Sequence, residues 1–126
     1  YEDYLRKIPE LYMQEAYQDI PNANRFPFEE VIKDIGISYF NSSVSYMMSM
    51  AIMEHPDVIG IWGCDMVDDK EEYAYQRPNM EYLIGLAQGR GIEIQLPENC
   101  PLLKFHGEGI PLGTLRPTYP KMYGVL

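Results

Sequence analysis

The sequence predicts an α/β fold of three layers built on a short, mainly parallel sheet. Three observations predict it. The run DVIGIWGCD, residues 57–65, is apolar and β-prone without alternation, the pattern of a strand covered on both faces. Helical spacing of apolar residues stands on either side of it, over 42–55 and from Pro78 onward. A second β-prone run, IEIQLP at 92–97, follows, and strand, helix, strand in that order closes a parallel pair.

The elements follow in order. At 126 residues and 46% hydrophobic, the chain suits one domain spanning 1–126. It opens YEDYLRKIPELYMQ, without a methionine and in mid-phrase, so a fragment lacking its N-terminal strand and turn is expected. ELYMQ, 10–14, permits a brief strand, while DIPNANRFP, 19–27, has two prolines and two asparagines and reads as an ordered loop. In FEEVIKDIG, 28–36, Phe28, Val31, Ile32 and Ile35 recur at helical spacing, with acids in the first turn and Gly36 as a stop.

The helix over 42–55 carries Val44, Met47, Met48, Ala51 and Ile52 on one face and apolar residues on most of the other, so burial all round is expected. Pro56 ends it, and the 57–65 strand should be central and parallel. An acidic loop follows over 64–78. Pro78 suits a first helical turn, and Tyr82, Leu83, Leu86 and Ala87 continue that helix to Gly89 or Gly91. The tail, 105–126, is rich in Gly and Pro and reads as irregular, extended chain. No internal repeat is present, and this order of elements is that of a Rossmann-like domain with right-handed crossovers.

Composition narrows the partners. A net charge of −9, with Lys and Arg scattered singly, argues against a nucleic-acid partner, which needs clustered positive charge. Cys64 and Cys100 lack metal-ligand spacing, so no zinc site or disulfide framework is expected, and a reducing cytoplasm fits best. No apolar run approaches the ~20 residues of a membrane span, so no membrane partner is expected. Neither a phosphate loop, a nucleophile elbow nor Gly-x-Gly-x-x-Gly occurs, and no cofactor is expected.

In an open parallel sheet, ligands sit beyond the carboxyl ends of the strands. The loop CDMVDDKEEYAYQRP lies there, with Asp65 at the strand end, as does the PENCPLL turn after the last strand. The helix start FNSSV lies at the opposite strand end unless an extended segment returns it to the crevice. There Asn41, Ser42 and Ser43 are candidate ligand-binding residues with Asp65. The two serines are most simply N-caps, but first-turn amides and hydroxyls also hold an anion or sugar.

Asp65, Asp68, Asp69, Glu71 and Glu72 could ligate a hard divalent cation, although they match no twelve-residue calcium loop and suit a solvated loop better. Tyr73 and Tyr75 either pack a lid or donate to a departing phosphate. Arg77 is either a structural ion-pair partner or a phosphate clamp, because its fork serves both. His55 suits a helix C-terminus, Glu81 a first helical turn, and His106 has no triad partner nearby.

Four stretches, YFNSSVSYMMSMAI, IGIWGCDM, EYAYQRPNMEYLIGLAQGRGI and PENCPLLK, make residues 19–104 resemble a group of proteins from tailed bacteriophages. Those proteins carry an earlier Gly- and Asn-containing turn of nucleotide-binding type, which this chain lacks. More distantly, the order is similar to bacterial sialyltransferases and motility-associated glycosyltransferase-like proteins. There a Thr-Ser-Gly helix start, a Gly-x-Asp strand end and loop tyrosines line a nucleotide-sugar site. The resemblance implies that Ser42 and Ser43 lie near the sugar or nucleotide, Asp65 at the strand end, and Tyr73 and Tyr75 beside the leaving phosphate. Ser43 stands where those proteins have the glycine, and their histidine base, before the helix that starts near Pro78, has no counterpart.

The expectation is therefore a nucleotide or nucleotide-sugar ligand. Glycosyl transfer would use Tyr73, Tyr75 and Arg77 to stabilise a departing nucleoside phosphate. Two rivals stand beside it: a non-catalytic phage protein that sequesters a ligand or binds a host protein, and a metal-dependent hydrolase using the acidic loop.

Overall fold

The computed structural model describes residues 1–64, 66 and 71–103. The chain is mixed α/β, and it divides into two compact units, Tyr1–Ile37 and Ser38–Leu126. Each carries one two-stranded parallel sheet, so the described strands form two short sheets rather than the single sheet expected.

The first unit runs α1 (Glu2–Leu5), β1 (Leu11–Met13), β2 (Ala23–Arg25) and α2 (Phe28–Ile35). Strand β1 falls inside the expected ELYMQ, but α1 was not anticipated, and β2 lies within the stretch expected to be loop. Its residues, Ala-Asn-Arg, have little β preference. The strand exists because Ala23, Asn24 and Arg25 align with Leu11, Tyr12 and Met13, and the Phe26 amide extends the ladder to the Met13 carbonyl at 2.7 Å.

Asn22 orders the connection. Its Nδ2 donates to the carbonyls of Leu5 and Ile8, both at 2.8 Å, fastening the loop to the end of α1. Leu5, Ile20, Phe26, Val31 and Ile35 are buried within this unit. Gly36 ends α2 as expected, in the left-handed conformation (φ 89°), with its amide on the Ile32 carbonyl at 2.8 Å. At the other end, Arg25 pairs with Glu29 at 3.0 Å and lies over the Phe28 ring. The hydrogen bond from Arg25 holds the Glu29 carboxyl below the usual carboxylate range.

The second unit runs α3 (Ser43–Met53), β3 (Val58–Gly60), α4 (Glu71–Gly89) and β4 (Glu93–Gln95). Strands β3 and β4 are parallel, with Val58, Ile59 and Gly60 aligned on Glu93, Ile94 and Gln95, and α4 is their crossover. The ladder is continued by Glu93 N–H to the Asp57 carbonyl and Ile61 N–H to the Gln95 carbonyl, each at 2.9 Å. This is the expected βαβ order, but β3 is three residues rather than nine. Gly63 (φ 76°) turns the chain away. Val58 is 41% exposed and Gly60 is exposed, so β3 is not covered on both faces. Among the described residues its only partner strand is β4, which makes it an edge rather than a centre.

Helix α3 packs on α4. Its buried residues are Ser45, Met48, Ser49 and Ile52, whereas Met47, expected on the core face, is 70% exposed. The core face is thus rotated towards two serines. Each satisfies its hydroxyl within the helix, Ser45 Oγ on the Ser42 carbonyl and Ser49 Oγ on the Ser45 carbonyl, both at 2.7 Å. A hydroxyl bonded to its own backbone is buried without leaving a donor unsatisfied.

Helix α4 begins at Glu71, seven residues before Pro78, which therefore lies inside it. Proline there cannot donate to the carbonyl four residues back, so the sequence reads more naturally as a helix start. Further on, Met80, Leu83, Ile84 and Ala87 are buried. The C-terminus closes on Gly91 (φ 84°), with Gly91 N–H on the Gln88 carbonyl and Ile92 N–H on the Ala87 carbonyl, both at 3.0 Å. That is the paired-bond cap for which glycine is suited, at one of the two expected stops.

Candidate functional site

Every described candidate residue lies in the second unit, and the start of α3 is the best defined. Ser42 is its N-cap: the Ser42 hydroxyl accepts the Ser45 amide at 3.2 Å, and the Ser45 hydroxyl accepts the Ser42 amide at 3.1 Å. This reciprocal box uses serine in the third position, where Glu or Gln is usual. Ser43 is exposed at the first position of the helix. Cap and anion cradle are not exclusive. The first-turn amides of Ser43 and Val44 meet no acceptor among the described residues.

Asn41 is committed to α4. Its amide donates to Asn79 Oδ1 at 2.9 Å, and its Nδ2 donates to the Tyr75 carbonyl at 3.1 Å. Asn79 is fully buried, and its Nδ2 reaches the Tyr39 carbonyl at 2.6 Å. The segment before α3 is thereby strapped across α4 next to Pro78, where the helix ladder is interrupted.

The three candidate catalytic residues sit on α4 rather than in a loop, which separates them. Residues two apart on a helix do not share a face, whereas residues four apart do. Tyr73, Arg77 and Glu81 line one face, and Tyr75, 52% exposed, stands on another. Arg77 Nε pairs with Glu81 Oε1 at 3.2 Å, and an Arg77 terminal nitrogen donates to the Pro101 carbonyl at 2.9 Å. Glu81 Oε2 accepts the Leu103 amide at 2.6 Å. Arg77 and Glu81 together clip the turn after β4, including Leu103 in a left-handed conformation (φ 64°), while Leu102 is buried. The ion-pair alternative for Arg77 matches this geometry. Glu81 acts in the interior of a helix, not in a first turn.

Asp65, Asp68 and Asp69 lie outside the described residues, as do the side chains of Glu71 and Glu72, and His106. Among the described residues no group of three or more His, Cys, Asp or Glu could hold a metal. No described helix is long and apolar enough to cross a membrane. His55 takes a left-handed conformation (φ 52°) just past α3, a helix-stopping position.

One cavity of about 250 Å³ opens beyond the carboxyl end of β3. Val44, Met47, Met48 and Ala51 of α3 form one wall, Ile59 to Trp62 and Cys64 the other, and Met80 of α4 contributes as well. Cys100 Sγ lies 3.8 Å from the Cys64 carbonyl, joining the segments that follow β3 and β4. Trp62, the chain's single tryptophan, is 64% exposed. A Cβ built on Gly60 would collide with Trp62 Cζ3 and lie 2.8 Å from Cη2, so glycine makes room for the indole on the strand.

Sequence reasoning placed a crevice at this strand end but missed Gly60, Trp62 and the α3 wall. The available signal was a glycine two residues before the only tryptophan, within a β-prone run. No protein-family profile, curated protein or solved structure matches the chain, so this geometry is what a functional reading rests on.

Proposed function

We propose that the chain is a three-layer Rossmann-like domain, of the type found in the bacteriophage proteins it resembles, that binds a nucleotide or nucleotide-sugar. The base lies in the apolar cleft beyond β3, and the phosphate lies against the first turn of α3. One observation carries the reading: both features meet at Val44, whose side chain lines the cleft and whose amide has no acceptor among the described residues. The net charge of −9 opposes anions at long range, but screening over about 8 Å at physiological salt leaves the outcome to local donors.

Binding without transfer is the form favoured by the placement of Arg77, which already spans Glu81 and the Pro101 carbonyl. Glycosyl transfer would need Tyr73, Tyr75 and Arg77 to converge on one phosphate, from two faces of α4. A sequestering protein needs no such convergence.

A thermal-shift screen against nucleotides and nucleotide sugars, with and without magnesium, tests the reading. A ligand bound only by the folded state at a hundred times its Kd adds about 2.7 kcal/mol and raises the midpoint accordingly. Recovery of that ligand intact after incubation supports sequestration, and release of nucleoside phosphate supports transfer. A well-folded chain that no nucleotide shifts overturns the proposal.

A further inference from the structure

We infer that the cleft selects a fused two-ring heteroaromatic base, of purine type, by stacking it on Trp62. The inference rests on the nucleotide-binding reading for its location and extends it to the ring.

Size comes first. A cavity of roughly 150 Å³ takes a benzene, and sites for whole drug-sized ligands start near 300 Å³. At about 250 Å³ the cleft matches one bicyclic ring and leaves sugar and phosphate outside, towards the first turn of α3.

The walls supply the chemistry. Val44, Met47, Met48 and Ala51 offer no hydrogen-bonding group apart from sulfur, and methionine adapts to a flat aromatic surface. On the opposite side, the Trp62 N–H is the one nitrogen or oxygen donor among the lining side chains. Side chains of this kind read area and stacking rather than the donors and acceptors of a base edge, which favours two rings over one and gives them little by which to tell adenine from guanine.

Gly60 prepares that surface. The indole occupies the space a side chain at residue 60 would fill, with Cε3 3.2 Å from the position of a Cβ. A tryptophan that is seated on backbone yet 64% exposed offers a large aromatic area with part of its ordering already accomplished.

Trp62 reports on itself, because it is the only tryptophan among eleven tyrosines. Its fluorescence, excited selectively, is to be titrated with adenosine, guanosine, cytidine and adenosine monophosphate. Saturable quenching is expected from adenosine and guanosine with similar Kd, and at least about tenfold weaker from cytidine. Gly60→Ala, checked for fold by circular dichroism, should weaken adenosine about tenfold by displacing the indole. If that variant does not fold, Trp62→Leu measured by calorimetry carries the same expectation.

Equal quenching by cytidine, or none by adenosine, overturns the inference. Nucleotides that shift the midpoint without quenching Trp62 overturn it while leaving the nucleotide reading standing. Quenching by free adenosine with no midpoint shift from any phosphorylated form does the reverse. A concentration-dependent blue shift of Trp62 emission without ligand assigns the groove to a second copy of the chain, and also overturns it.

Discussion

Asn79 holds Asn41 through a backbone amide at 2.9 Å, and among the described residues of the second unit it is a fully buried polar side chain that bonds the segment before α3 at two points. Its orientation follows from its partners. Oδ1 faces an N–H and Nδ2 faces the Tyr39 carbonyl at 2.6 Å, so the amide reads one donor and one acceptor of the segment before α3. That segment would otherwise be loop beside a proline-interrupted helix.

Replacing Asn79 by leucine keeps approximate volume but orphans both backbone groups. The expected loss is about 2–3 kcal/mol, since a buried group left unsatisfied costs about 1–3 kcal/mol. Urea unfolding measures it, and a loss below about 0.5 kcal/mol would remove the strap from the account of this fold.

Arg77 and Glu81 should behave as a coupled pair. Their side chains are only 21% and 28% exposed, and Glu81 also accepts the Leu103 amide. Removing Glu81 takes the counter-ion from Arg77 and the acceptor from that amide, so Glu81→Leu is expected to cost more than Arg77→Leu. A double-mutant cycle should give a coupling near 1 kcal/mol, with additivity counting against the clip.

Ser42→Ala should lower stability by about 1 kcal/mol through loss of the cap, and Ser42→Asp should restore most of it. Ser42→Ala also separates cap from ligand contact. If the hydroxyl only caps, the nucleotide affinity of the folded Ser42→Ala protein, measured by calorimetry, stays within about twofold; if it contacts the ligand's phosphate, affinity falls about tenfold.

The Arg25 and Glu29 pair predicts a pH dependence. Glu29 has its folded pKa below the unfolded one, chiefly through the Arg25 hydrogen bond, so its stabilisation is present above the unfolded pKa. It is lost as pH falls through the lowered folded value. Glu29→Gln should therefore shrink the acid-induced drop in midpoint, slightly and less at high salt, because the pair is exposed. An unchanged acid limb at low ionic strength would remove the pair from it.

Legibility in the sequence followed the physics of each element. Helix α2, α3 and the Gly91 stop were readable because acids, apolar spacing and terminal glycines act locally. Strand β2 was not, because pairing with β1 overrides its weak propensities. The early start of α4 was hidden by Pro78, which reads as a helix start, and the bonds from Asn41 to Asn79 and to the Tyr75 carbonyl join residues thirty-eight and thirty-four apart, which no local pattern shows. Helix α3 misled on its core face, since hydropathy counts a serine as polar even when its hydroxyl is bonded within the helix. At the site, the strand-end crevice was legible from chain order, but the grouping of Tyr73, Tyr75 and Arg77 assumed a loop and dissolved on a helix.

The parallel pairing of β3 with β4 has a kinetic consequence. Neither strand can zip onto the other until the chain between Gly60 and Glu93 has been gathered, so the entropy of closing that loop falls before any ladder bond forms. Helix α4 shortens the path by coiling it. The Ile61 and Glu93 amides, which bridge the strands, should then exchange their hydrogens with solvent at the same rate as the buried stretch of α4, as one cooperative unit that opens or stays shut together.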